Sequence, residues 1–277
     1  MLPASAPTPL HKVRAVGTPL AAIRSIAAYL ITLIYIAIAG PIGLVVAVVF
    51  RWKWGLYRLG HAGTWLALRS AGIRWRVTGL AQVPTQAVVF CSNHESNVDP
   101  PVLFKVLHPQ LHVLYKAELH KFPIMGTVFD VGGFVPIDRG DRERSMASIA
   151  RGAAALRSGL SFLIFPEGTR SRTGEMLPFK KGGFIMALQA QVPIVPVAVR
   201  GGRAAMRKGS AFVYPVTVDV RVGAPIPTEG LSISDKEALI ARVRAAIQAL
   251  LDESTTPGGL DRPCGHPPRA RQATGRS

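Results

Sequence analysis

A histidine and an aspartate, His94 and Asp99, stand five residues apart directly after the apolar run 87–90. A histidine can accept a proton from a hydroxyl group when a carboxylate holds its other ring nitrogen. On one regular helix five positions amount to about 500° of rotation, so the two side chains would point roughly 140° apart. They converge only if the chain turns between them. Because Asp99 and Pro100 have the residue types of a helix start, we expect His94 on the loop after a strand and Asp99 at the mouth of the next helix.

A simpler interpretation makes Asp99 only a helix cap and His94 only a loop residue, because short motifs often match by chance. The rest of the chain favours chemistry. The block NHESNVD at 93–99 is followed by GFVPIDR at 133–139, FPEGTRS at 165–171 and VPIVPV at 192–197. In this order the four blocks resemble the glycerolipid acyltransferase family, and within it the 1-acylglycerol-3-phosphate acyltransferases, which make phosphatidic acid.

The resemblance implies transfer of a fatty acyl group from a thioester to the sn-2 hydroxyl of 1-acylglycerol-3-phosphate (lysophosphatidic acid). His94 would act as general base, a role typically worth ~10²–10⁴ in rate, and Asp99 would orient it and stabilise the imidazolium. The sequence has no G-x-S-x-G motif for an acyl-enzyme. We expect no cofactor, with acyl-CoA or an acyl carrier protein thioester as co-substrate.

The phosphate of the acceptor needs cationic donors, and arginine pairs with phosphate through two parallel hydrogen bonds. The resemblance nominates Arg139 and Arg170 for this role. The alternative for each is a surface ion pair, with Asp138 or with Glu167.

Glu167, Gly168 and Thr169 would complete the acceptor pocket, and Lys180 would add to its positive field. A carboxylate beside a phosphate is repulsive, so we expect Glu167 to accept a hydrogen bond from the glycerol or to position an arginine. Glycine allows the backbone to approach a ligand closely. A further basic cluster is typical of a solvated face, although it could also meet anionic lipid or an acidic carrier protein; it comprises Arg200, Arg203, Arg207 and Lys208.

Metal and nucleotide sites are not indicated. The stretch from His94 to Val98 lacks the second histidine of H-E-x-x-H, and the two cysteines, Cys91 and Cys264, are far apart. The sequence has neither a P-loop nor a dinucleotide-binding glycine pattern, so we predict no metal.

The net charge of +17 is unevenly distributed over the 277 residues. The first acidic residue is Glu95, and nine Lys or Arg precede it. Such a segment is attracted to nucleic acid or to an anionic membrane. Between Arg24 and Arg51 lie 26 uncharged, mostly apolar residues, and a bilayer core takes roughly 20. We therefore predict a membrane partner and no nucleic acid.

Gly40 and Pro41 interrupt the apolar stretch, and basic residues flank both of its ends. The positive-inside rule then fits a shallow hairpin bent at Gly40 and Pro41 better than a single kinked span. A cleaved signal peptide is a further alternative, because 37–39 resembles a cleavage site, but the apolar stretch continues to Phe50.

Aromatic and basic residues alternate after this stretch, a pattern typical of a helix in the headgroup region. The alternative is an ordinary amphipathic helix packed on the domain. The aromatic residues are Trp52, Trp54, Tyr57 and Trp65.

The remaining chain predicts an α/β domain whose mixed sheet is flanked by helices. Strands are expected at 86–91, 111–115, 161–165, 193–199 and 212–222, and helices near 100–107, 142–158 and 181–190. A capping box from Ser234 to Glu237 would open a last helix that ends near Asp252. The predicted segments are a flexible basic N-terminus (1–24), membrane-embedded and interfacial helices (25–76), the catalytic domain (77–251) and a disordered tail (252–277).

Both thioester donors are cytosolic, so we expect the catalytic domain on the cytosolic face of the cell membrane. Three other functions stay open: transfer to another lysolipid or an amino-acid-derived lipid, a thioesterase, and a noncatalytic membrane-binding protein.

Overall fold

The computed structural model describes residues 18–121, 123–137 and 141–253. The predicted flexible N-terminus lies outside the described residues as far as residue 17, and the predicted disordered tail lies outside them from residue 254. Residues 18–24 form the first turns of a helix, so the prediction of flexibility is wrong there.

A seven-stranded mixed sheet forms the centre, in the order β1-β7-β6-β2-β5-β3-β4. All neighbouring strands are parallel except β6 and β7. Strands β2 and β5 are buried throughout, as expected where both faces of a parallel sheet are covered. The strands are β1 (Arg74–Thr78), β2 (Val89–Ser92), β3 (His112–Lys116), β4 (Val135–Ile137), β5 (Phe162–Ile164), β6 (Ile194–Arg200) and β7 (Thr217–Val222).

Eight helices accompany the sheet in the described residues, and its two faces carry separate cores. Along β2 the side chains alternate between the faces, so that Phe90 joins one core and Val89 the other. Helices α1 to α3 contribute to the first core, and α5, α6 and α8 to the second. The helices are α1 (Thr18–Val49), α2 (Lys53–Ser70), α3 (Asp99–Val106), α4 (Pro123–Gly132), α5 (Arg142–Arg157), α6 (Gly182–Ala190), α7 (Gly202–Ala205) and α8 (Lys236–Asp252).

The mixed α/β fold is confirmed, but strand β4 and helices α4 and α7 were not predicted. Three further elements differ from the prediction. β1 lies in the sheet, so the predicted boundary between residues 76 and 77 cuts a strand. β7 begins only at Thr217. The capping box before α8 joins Ser232 to Asp235, whose carboxylate accepts from the Ser232 amide at 2.8 Å, and not Ser234 to Glu237.

The predicted hairpin bent at Gly40 and Pro41 is wrong, because α1 is one continuous helix of 32 residues with Pro41 inside it. Its length is about 48 Å at 1.5 Å per residue. The chain reverses at 50–52, where Arg51 has a positive φ of 51°. α2 then returns along α1, and the Tyr35 hydroxyl donates to the Leu59 carbonyl at 2.8 Å.

In the described part of the chain, α1 is the one helix long and apolar enough to cross a membrane. Its first half packs on the sheet domain: the Ser25 hydroxyl accepts from the Val213 amide at 2.8 Å, and Ala28 lies in the first core. Cleavage after residue 39 would remove this packing. Large apolar side chains on α1 are exposed, including Ile34 and Ile38 at 58% and 60%.

Candidate active site

The structure brings His94 and Asp99 together in the way the sequence predicts. His94 lies on the loop that leaves β2, and Asp99 is the first residue of α3. His94 Nδ1 and Asp99 Oδ2 are 2.9 Å apart. Because a carboxylate can only accept here, Nδ1 carries the proton and Nε2 offers its lone pair when the ring is neutral.

The Asp99 carboxylate is fully buried, and it accepts hydrogen bonds from the loop that carries His94. Its Oδ2 also accepts from the backbone N–H groups of Glu95 and Ser96, each at 2.7 Å. Its Oδ1 has no hydrogen-bond partner among the described residues. The backbone of Gly202 lies against this oxygen so closely that a side chain there would overlap it. Asp99 is thus held by three donors on one oxygen and by close packing at the other.

One face of the His94 ring packs against another ring, while its Nε2 edge is accessible. The ring stacks on Phe165, the first residue after β5, with ring centroids 4.2 Å apart. The side chain is 15% exposed, and Nε2 has no hydrogen-bond partner in the part of the chain that the structure describes. Nε2 is therefore available to a hydroxyl group that enters from outside.

Glu167 links two loops through backbone hydrogen bonds, and its predicted contact with the glycerol stays a prediction. Its Oε1 accepts from the His94 amide and its Oε2 from the Leu177 amide, each at 2.9 Å. The Ser171 amide in turn donates to the His94 carbonyl at 2.9 Å. Burial raises the pKa of Glu167, and the two backbone donors favour its charged form. Through its hydrogen bond with the His94 amide, Glu167 helps to fix the loop that carries the base.

The predicted acceptor-binding residues lie beside the loop that carries His94; they are Gly168, Thr169, Arg170 and Lys180. Gly168 has a positive φ of 68°, and a Cβ atom there would stand 2.8 Å from Lys180 Cε. Arg170 is half-buried, and none of the described carboxylates is within ion-pair distance of its guanidinium. The ion pair with Glu167, weighed as the alternative for Arg170, is thus not formed. Arg139 and Asp138 lie outside the described residues.

Sequence reasoning missed two groups that the fold brings to this place. Lys208, assigned only to a basic cluster, donates from Nζ to Thr169 Oγ1 and to the Arg170 carbonyl, both at 3.0 Å.

Glu95 is the second group, and it borders a polar cavity of about 470 Å³, which Arg200 and Arg244 also line. Burial, and next the charge of Asp99, raise the pKa of Glu95 to about 7. The signals in the sequence were the basic cluster for Lys208 and, for Glu95, its place inside the block at 93–99.

Within the described ranges there is no group of three or more His, Cys, Asp or Glu side chains that could bind a metal ion. The arrangement combines an open imidazole with a cationic loop, and it suits base-assisted attack by a hydroxyl group on a substrate that carries an anionic group.

Comparison with known proteins gives concordant matches. The sequence model of the Acyltransferase family matches residues 74–200. The 1-acyl-sn-glycerol-3-phosphate acyltransferase alpha of Mus musculus is 36% identical over 192 residues, which are 68% of this chain and 67% of that protein. The corresponding Homo sapiens protein is 37% identical over 191 residues, with the same two shares.

Solved structures also match this chain, and one of them shares its fold. It is the 1-acyl-sn-glycerophosphate (LPA) acyltransferase PlsC from Thermotoga maritima, with a TM-score of 0.73 and 22% sequence identity. The match covers 84% of this chain and 96% of that one.

Proposed function

Because this chain belongs to the 1-acyl-sn-glycerol-3-phosphate acyltransferase family, we propose that it transfers a fatty acyl group from a thioester to the sn-2 hydroxyl of 1-acylglycerol-3-phosphate. The product is phosphatidic acid. The observation that carries the proposal is the His94–Asp99 pair. The Nδ1 atom of His94 is hydrogen-bonded to the buried Asp99 carboxylate, while the partly exposed ring leaves Nε2 without a partner among the described residues. An O-acyltransferase needs this arrangement of a base.

In the proposed reaction His94 Nε2 takes the proton of the sn-2 hydroxyl as its oxygen attacks the thioester carbonyl. The new C–O bond forms, the C–S bond breaks, and the imidazolium returns the proton to the departing thiolate. Asp99 stabilises the imidazolium through Nδ1–H. Since a thioester is already activated, the base and its orientation provide much of the assistance that the reaction needs.

The acceptor's phosphate would bind at the loop of Gly168, Thr169 and Arg170, with Lys180 beside it and Arg139 as a further candidate. The His94 carbonyl is hydrogen-bonded to Ser171, the residue that follows Arg170. The loop and the base are therefore adjacent, and a glycerol phosphate could reach both.

We propose the cytosolic face of the cell membrane as the location, with acyl-CoA or acyl carrier protein as the donor. Membrane association is supported by the exposed apolar surface of α1. It is also supported by three exposed tryptophans, Trp52 and Trp54 at the turn into α2 and Trp65 further along α2. The cytosolic face follows from the donor alone.

The test is acyl transfer by the full chain in nanodiscs, with a panel of lysolipids and with long-chain acyl-CoA or acylated carrier protein. Wild type should form phosphatidic acid from lysophosphatidic acid, and His94→Ala should lose at least ~10²-fold in kcat. His61→Ala is the matched control, because His61 packs on Phe104 outside the site.

Each alternative function has its own outcome in this assay. Transfer to a different lysolipid would keep the mechanism and change the acceptor. If free fatty acid is released in the absence of an acceptor, and Arg170→Ala does not reduce that release, the protein is a thioesterase. Full activity in His94→Ala would overturn the assignment of the base.

A further inference from the structure

Lys208 lies on the loop between α7 and β7, and the fold carries it to the candidate phosphate loop. Its ammonium donates to Thr169 Oγ1 and to the Arg170 carbonyl, each at 3.0 Å. These partners are 39 and 38 residues away in the sequence. An ammonium group has three N–H donors, so one remains after these two hydrogen bonds.

The charge of Lys208 is not balanced within the described structure. Both of its acceptors are neutral, and no described carboxylate is within ion-pair distance. Glu167, the carboxylate of this loop, accepts from two backbone amides instead. Thus Arg170, Lys180 and Lys208 bring three positive charges to one short loop. A bound anion would be attracted to these cations.

The neighbouring cations differ from Lys208. Arg203 donates to the Thr173 carbonyl, and its backbone amide is 3.4 Å from Glu95 Oε2, so a carboxylate lies beside it. Arg207 is exposed, and none of the described residues forms a hydrogen bond with its side chain. Lys208 is therefore the member of the basic cluster that both reaches the candidate site and keeps a donor free.

We infer that Lys208 is an acceptor-binding residue that makes the site prefer a dianionic phosphate monoester to a phosphodiester lysolipid. The inference rests on the proposed function, since it places the acceptor's phosphate at this loop. A monoester carries close to two negative charges at neutral pH, whereas a diester carries one. The additional positive charge of Lys208 therefore strengthens binding of the monoester more than binding of the diester. Its remaining N–H donor would form a charge-assisted hydrogen bond with the phosphate.

The test measures binding without a donor, so that no turnover is needed. Full-length protein in detergent is titrated calorimetrically with a short-chain lysophosphatidate and with the methyl phosphodiester of the same lipid. The variants are Lys208→Gln, Lys208→Arg and the matched control Arg207→Gln. Glutamine keeps a neutral donor for the Arg170 carbonyl, so Lys208→Gln separates the charge from a purely structural hydrogen bond.

Lys208→Gln should weaken binding of the monoester about tenfold, as expected for loss of one hydrogen bond from a charged group. Binding of the diester should change by less than about threefold, so that the preference for the monoester falls. Lys208→Arg should keep the preference, and Arg207→Gln should resemble wild type.

Unchanged monoester binding in Lys208→Gln, or equal weakening of monoester and diester, would overturn the inference. A transfer assay on the same samples separates it from the proposed function. If wild type binds lysophosphatidate with the stated preference and transfers no acyl group to it, the proposed function fails while the role of Lys208 in binding stands.

Discussion

The carboxylate that orients the base depends on a glycine outside its own motif. Gly202 lies against Asp99 Oδ1, and a Cβ atom there would also stand 3.1 Å from the Ser96 Cβ. Ser96 belongs to the loop that carries His94, and Asp99 is the first residue of the helix that follows this loop. A side chain at position 202 must therefore displace part of the site, since the surrounding core is closely packed.

Gly202→Ala should lower kcat at least tenfold and destabilise the protein by about 1–3 kcal/mol, because overpacking shifts Asp99 away from His94. Steady-state kinetics and thermal unfolding measure the two effects. Gly60→Ala is the control, since its new methyl group would make only ordinary contact, 3.7 Å, with Phe104. Wild-type kcat in Gly202→Ala would show that Asp99 does not depend on this packing.

Glu95 gives the fold a pH dependence of its own. Burial and Asp99 raise its pKa from an ordinary 4.5 to about 7, so between these values the folded state binds more protons than the unfolded state. The stability of wild type should then fall as pH rises through this window, by an amount on the order of 1–3 kcal/mol.

Glu95→Gln removes this titration, so its melting temperature relative to wild type should rise between pH 4.5 and pH 8. Thermal unfolding at several pH values measures the difference. A difference that stays constant with pH would contradict the titration of Glu95 in this window.

At the scale of elements, α8 holds the loop that supports the base. Arg244 donates to the Leu177 and Met176 carbonyls at 2.6 and 2.8 Å, and its guanidinium lies 5.2 Å from the centre of the Phe179 ring. The Leu177 amide binds Glu167, which in turn binds the His94 amide. A helix in the second core thus reaches the active-site loop through one arginine.

Arg244→Met should speed hydrogen exchange of the Leu177 amide and reduce kcat several-fold, since each lost hydrogen bond from the guanidinium is worth about 1.5–3 kcal/mol. Arg242→Met, on the exposed face of the same helix, is the matched control. Faster exchange with unchanged kcat would limit Arg244 to a structural role.

The sequence predicted the elements unevenly, for physical reasons. Strands β2, β5 and β6 were found because a strand buried on both faces needs a continuous apolar run. Strand β3 was also found, although it is only partly buried. Strand β1 was missed: it lies at the edge of the sheet, and its alternating Arg74, Trp75 and Arg76 resemble an interfacial pattern. The bend expected at Pro41 was wrong because α1 continues through that proline.

For the whole molecule, α1 presents an exposed apolar face next to the domain that holds the active site. Ile34 and Ile38 on α1 are more than half exposed to solvent, which a soluble protein rarely tolerates over so long a face. The first half of α1 packs on the sheet domain, so an apolar face and the site belong to one folded unit.

The double substitution of Ile34 and Ile38 by Glu should release the protein from anionic vesicles with little change in its melting temperature, because charges are costly in the bilayer core and harmless on an exposed face. Flotation with vesicles and thermal unfolding measure the two effects. Ile233→Glu, at another exposed isoleucine, is the control. Continued flotation of the double variant would contradict insertion of this face.

The sequence by itself determined the His94–Asp99 pair, the α/β class, the apolar N-terminal helix and the family resemblance. Each of these depends on local patterns, or on the order of local patterns along the chain, where spacing and periodicity carry information. Only the tertiary structure decided how Glu167, Lys208 and Arg244 act, because their partners lie 73, 38 and 67 residues away. A hydrogen bond between distant loops leaves no periodic pattern in a single sequence, and it exists only once the two cores have packed the loops together.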